Sequence, residues 1–72
     1  MGYKPSYMEY YFTIDIHALQ ELKAKKDDKG IIGCIKRYMW LDLPEDEELY
    51  KAGNIFESGA DALDIASGMY KQ

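Results

Sequence analysis

Two common ways of holding a very short chain together are missing here. Cys34 is the sole cysteine among 72 residues, so no disulfide can close within the chain. His17 is the sole histidine, so a zinc site of four Cys and His ligands cannot be assembled. Chains of this length bury only about 60% of their unfolded surface and depend on a tight core, self-association or a partner. Long apolar runs are also lacking. Nothing approaches the roughly 18 residues of a membrane span, which argues against a membrane partner. The opening MGYKPSYMEYY has no apolar stretch of the secretory kind. With a lone cysteine, this points to a reducing, cytoplasmic setting.

The groups that build active sites are equally scarce. Gly30-Ile31-Ile32-Gly33 is too short for a phosphate loop and lacks the following Lys-Ser/Thr. Asp15 and His17 form the one local pair with acid–base or metal potential. Capping the helix that follows is the better use of Asp15. Cys34 has no base placed beside it and reads as a small buried hydrophobe. No catalytic residue, metal or cofactor is expected, and the chain reads as a non-enzyme.

Charge is present and unevenly spread. The net charge is −4. Residues 1–40 carry seven basic and five acidic groups, whereas residues 41–72 carry two basic and eight acidic groups. An acidic surface suits a basic protein partner better than nucleic acid, whose phosphates require Lys or Arg. The densest acidic cluster is Asp42, Glu45, Asp46, Glu47 and Glu48. It reads either as a solvated face or as a contact for a basic nucleic-acid-binding surface.

Residues 7–16, YMEYYFTIDI, alternate with period 2 and are rich in aromatic and β-branched residues. This predicts a strand with Met8, Tyr10, Phe12, Ile14 and Ile16 towards the core. Tyr7, Glu9, Tyr11, Thr13 and Asp15 would then face outwards. Tyr3, Tyr7 and Tyr11 would form an exposed aromatic row suited to a protein interface. If strand 1 were covered on both faces, those rings would be buried instead.

Residues 17–28 have helical spacing and good helix formers, with Gly30 as the stop. Residues 31–43 fit a strand by propensity, with a bulge at Gly33, although Ile31, Cys34, Ile35 and Tyr38 also have helical spacing. A turn or short helix over 45–52 leads to a short strand at 54–57. Ser58 and Asp61 form a capping box for a helix over 59–71.

The ending NIFESGADALDIASGMY runs a strand into Ser-x-x-(Asp/Glu)-Ala-Leu-x-x-Ala. With the size and acidity of the chain, it resembles small acidic phage-encoded inhibitors, anti-CRISPR proteins among them. That resemblance implies stoichiometric inhibition of a viral host's machinery by surface contact. The expectation is therefore a single α+β domain over 1–72. It would have a three-stranded sheet, a C-terminal helix and a short helix after strand 1. It would bind a protein through Asp42, Glu45, Asp46, Glu47, Glu48, Tyr7 and Tyr11. The alternative is an accessory subunit that forms a homo-oligomer through an exposed strand edge.

Overall fold

A computed structural model describes residues 3–72. The chain runs through strand β1 (Tyr10–Ile14), helix α1 (Ile16–Lys25), a 3-10 helix (Asp28–Cys34), strand β2 (Ile35–Met39), helix α2 (Pro44–Lys51) and helix α3 (Gly59–Lys71). The fold is α+β, but among the described residues its sheet has two antiparallel strands, not three. Tyr11 pairs with Tyr38 and Thr13 with Lys36.

The expected third strand at 54–57 reduces to one bridge, Phe12 to Phe56, closed by two backbone hydrogen bonds of 2.9 and 2.8 Å. Asn54 continues that edge with its side chain. Its Oδ1 accepts from the Ile14 N–H and its Nδ2 donates to the Ile14 carbonyl, each at 2.8 Å. A carboxamide carries the same donor and acceptor as a peptide unit. One side chain thus replaces the next residue pair of a ladder.

β1 is shorter than the alternation predicted because both ends leave the strand. At its end, the Asp15 carboxylate accepts from the Ala18 N–H at 3.1 Å and starts α1. Before its start, Glu9 N–H donates to the Ser6 carbonyl, closing a turn with Met8 at φ 70°. Met8 N–H donates to the Trp40 carbonyl while Trp40 N–H donates to the Glu9 carbonyl. Two residues oppose one, with the first in the left-handed region, which is the G1 bulge usually built on glycine. Met8 is 60% exposed, so its side chain gains little there. Left-handed strain of about 1–2 kcal/mol for a non-glycine outweighs the extra unfolded-state entropy of glycine, about 0.5–1 kcal/mol. Met8→Gly is therefore expected to stabilise the protein by about 0.5–1 kcal/mol, read as a higher denaturant midpoint at unchanged slope.

The expected facing of strand 1 also needs correction. Both faces of β1 are covered, so Tyr11 and Thr13 are buried along with Ile14, whereas Met8, Tyr10 and Ile16 are exposed. One face meets α1, α3 and the 3-10 helix in a core of Ile14, Leu19, Ile31, Cys34, Ala62 and Ala66. The two alanines let α3 approach closely, and its start is fixed by the Ser58 Oγ accepting from the Asp61 N–H at 3.1 Å. The other face carries a second core of Tyr11, Trp40 and Ile55, roofed by Tyr3, Leu49 and Tyr50.

The ambiguous segment 31–43 resolves into parts. Ile31 and Cys34, three residues apart, are buried from the 3-10 helix, and the strand begins only at Ile35. Gly33 lies in that helix and makes no bulge. α1 stops at Lys26, in the left-handed region at φ 59°. There Asp27 N–H donates to the Leu22 carbonyl and Lys26 N–H to Lys23. This is a Schellman motif four residues before the expected glycine stop. Gly30 serves packing instead, since a Cβ there would lie 2.8 Å from the Leu22 side chain.

Candidate functional site

The turn from β2 into α2 is organised by two carboxylates, the buried Asp46 and the exposed Asp42. Pro44 occupies the first turn of α2, where its missing N–H leaves no bond unmade. Two residues on, Asp46 Oδ2 accepts from the N–H groups of Leu41 at 2.9 Å and Leu43 at 3.1 Å. Leu43 is the N-cap but has no polar side chain, so the reciprocal half of a capping box cannot form. The other oxygen of Asp46 accepts from the Tyr11 hydroxyl at 2.5 Å. Burial alone would raise the Asp46 pKa. The Tyr11 hydroxyl and the two backbone amides outweigh burial and hold it below the usual carboxylate range. Burial, followed by the bond to Asp46, pushes the Tyr11 phenol upwards.

Asp42 is also committed. It lies in the left-handed region at φ 57°, and its Oδ1 accepts from the Trp40 indole N–H at 2.6 Å. Trp40 in turn packs edge-on against Tyr11 and Tyr50, with ring centroids 6.0 and 6.4 Å away. Glu47 faces Lys4 at 4.0 Å, and the Lys4 ammonium lies over the rings of Trp40 and Tyr50.

This scaffold leaves a groove of about 850 Å³ beside the covered half of the sheet. Tyr38, Met39, Lys36 and Thr13 contribute from the strands, Leu41 and Leu43 from the turn, and Glu45, Glu48 and Leu49 from α2. Ile16 and His17 lie along it from the start of α1. Tyr38, Leu41 and Leu43 are large apolar residues left exposed. Glu45 and Glu48 are also exposed, with no ion pair or side-chain hydrogen bond among the described residues.

The site residues expected from sequence therefore divide. Glu45 and Glu48 line the groove together. Asp46 also borders it but is buried, and its oxygens are occupied. Asp42 and Glu47 hold Trp40 and Lys4. Tyr11 is 1% exposed and belongs to the core, whereas Tyr7 is 64% exposed at the Ser6–Glu9 turn. The outward row of Tyr3, Tyr7 and Tyr11 does not form, and Tyr11 and Asp46 are unavailable for surface contact in this fold. The apolar half of the groove was not anticipated. Leu41 and Leu43 flanking Asp42 just before Pro44 are the signal, because large apolar residues there have no strand or helix face to bury them.

His17 is exposed in the first turn of α1, and Asp15 is occupied as its cap. Cys34 is buried, and burial pushes its thiol pKa upwards. Among the described residues, no three His, Cys, Asp or Glu side chains are grouped to hold a metal ion. No described helix is long and apolar enough to cross a membrane. No family model, curated protein or solved structure matches the chain.

Proposed function

We propose that the protein is a non-catalytic binding module that inhibits or modulates a macromolecular partner. Its groove takes a segment of that partner with apolar side chains flanked by lysine or arginine. The observation that carries this reading is the pairing of exposed Tyr38, Leu41 and Leu43 with uncommitted Glu45 and Glu48 in one concavity. Apolar anchors in a groove supply affinity, while charges at its edge supply orientation and encounter rate. Asp46 is buried, and Asp42 and Glu47 already hold partners within the chain, which leaves Glu45 and Glu48 as the uncommitted acids beside the apolar slot. That combination favours a basic amphipathic segment over nucleic-acid mimicry. The inhibitory role rests on the resemblance to small acidic phage inhibitors.

The experiment is an NMR titration of the labelled protein with a synthetic peptide alternating leucine and lysine, at low and high salt. Shifts are expected at Tyr38, Leu41, Leu43, Glu45, Glu48 and Leu49, and affinity is expected to fall as salt screens the carboxylates. Shifts centred on the exposed turn at Tyr7, or saturable binding that leaves the groove residues unmoved, would overturn the proposal.

A further inference from the structure

The two edges of the sheet are treated differently. The free edge of β1 is closed by the Phe56 backbone and the Asn54 carboxamide. β2 faces β1 through the main-chain groups of Lys36 and Tyr38, so those of Arg37 and Met39 point the other way. Among the described residues, nothing bonds to the main chain of Arg37 or Met39 on that side. Lys36, Arg37 and Tyr38 are exposed along it. An open edge of this kind is a template for another strand.

We propose that the β2 edge pairs with β2 of a second copy of this chain, in the antiparallel register centred on Tyr38. Three two-fold registers fit within the strand, and side-chain chemistry separates them. Centring on residue 36 sets Lys36 against its own copy, and centring on residue 37 does the same for Arg37. Like charges directly opposite are destabilising. Centring on residue 38 sets Tyr38 against Tyr38 and Arg37 against Met39, an aromatic pair beside an amphipathic one. This register also satisfies the backbone, because Arg37 and Met39 are the residues whose main-chain groups point outwards. They exchange bonds across the two-fold, and Tyr38 becomes the non-hydrogen-bonded pair. The result is a four-stranded sheet, β1-β2-β2-β1, with both grooves opening on the same face.

The register can be tested by cross-linking in a Cys34→Ala background. Directly opposite residues of a non-hydrogen-bonded pair have Cα atoms about 4.5 Å apart, within disulfide reach. Residue 39 and residue 35 of the other copy would be offset by two positions and separated by about 8 Å, beyond the roughly 7 Å limit, although they would lie directly opposite in the register centred on residue 37. Tyr38→Cys is therefore expected to form a disulfide-linked dimer under mild oxidation, whereas a mixture of Ile35→Cys and Met39→Cys chains, which keep Lys36 and Arg37, is not. Sedimentation of the unmodified chain is expected to show a concentration-dependent dimer. Tyr38→Lys, which restores like charges at the two-fold, is expected to weaken it by at least about tenfold. Arg37→Pro removes an outward N–H without touching the β1–β2 ladder and is expected to weaken the dimer similarly. A strict monomer up to about 0.5 mM, at which even a weak dimer shows by mass action, would overturn the proposal. So would faster cross-linking in the Ile35→Cys and Met39→Cys mixture. Tyr38 serves both the groove and the two-fold, so Glu45→Lys and Glu48→Lys are the variants that separate the readings: they should weaken peptide binding and leave self-association unchanged.

Discussion

Replacing Asp46 with alanine is expected to destabilise the fold by about 3–4 kcal/mol, a large share of the stability of a small domain. Three donors lose their acceptor at once: the Tyr11 hydroxyl and the N–H groups of Leu41 and Leu43. Each unsatisfied buried donor costs about 1–3 kcal/mol, and water can reach some of the vacated space from the groove. The turn that places Leu41 and Leu43 should loosen as well, so the damage reaches the groove. Tyr11→Phe should cost about 1–2 kcal/mol alone and much less in the Asp46→Ala background, because the two side chains share one bond. Denaturant unfolding of the four proteins, followed by Trp40 fluorescence, measures that coupling.

The same pair sets the pH limits of stability. The folded-state pKa of Asp46 lies below its ordinary value of 3.8. Its contribution is fully present above that value and is lost as pH falls towards the folded pKa. The Tyr11 phenol is raised above its ordinary 10.0, so the native state holds that proton more tightly. Stability should then fall as pH rises beyond about 10. Asp46→Ala should flatten the acid limb below about pH 4 and reduce the alkaline one.

The second large effect is expected at Asn54. Asn54→Ala should cost about 2–3 kcal/mol, because both the N–H and the C=O of Ile14 lose their partner at the edge of the first core. Asn54→Asp is the sharper variant. It retains an acceptor for the Ile14 N–H but sets a second acceptor against the Ile14 carbonyl, so it should not rescue the fold. Hydrogen exchange at the Ile14 amide should accelerate in both variants, while Tyr11 and Thr13, bonded to β2, keep more of their protection. Equal loss at all three would mean that Asn54 supports the whole sheet rather than its edge.

These residues also show what could be read from the sequence. The aromatic alternation locates β1, and Asp15 and Ser58 cap the helices that follow them, because strand propensity and capping are local properties. The facing of β1 is not local. Period-2 alternation identifies the strand but cannot tell one covered face from two, and here α2 and residues 54–56 supply the second cover. The third strand misleads for a related reason: Phe56 alone pairs through its backbone, and Asn54 takes the next position of the ladder with its side chain. Composition likewise counts Asp46 as surface charge, although it is buried against Tyr11, 35 residues away in the chain. Asp42 and Glu47 stay at the surface but are engaged by Trp40 and Lys4. Glu45 and Glu48 are the exposed members of the cluster with no partner among the described residues.

The claim that those two glutamates and the apolar slot beside them form the binding surface is tested most directly by a charge-matched comparison. Glu45→Lys/Glu48→Lys and Glu57→Lys/Asp64→Lys change the net charge equally. All four positions are exposed, but only the first pair lines the groove. Affinity for the leucine–lysine peptide should fall at least about tenfold more in the groove variant than in the control, as expected for local rather than diffuse electrostatics. Equal losses in the two variants would contradict the account, because the peptide would then be responding to overall charge and not to the groove.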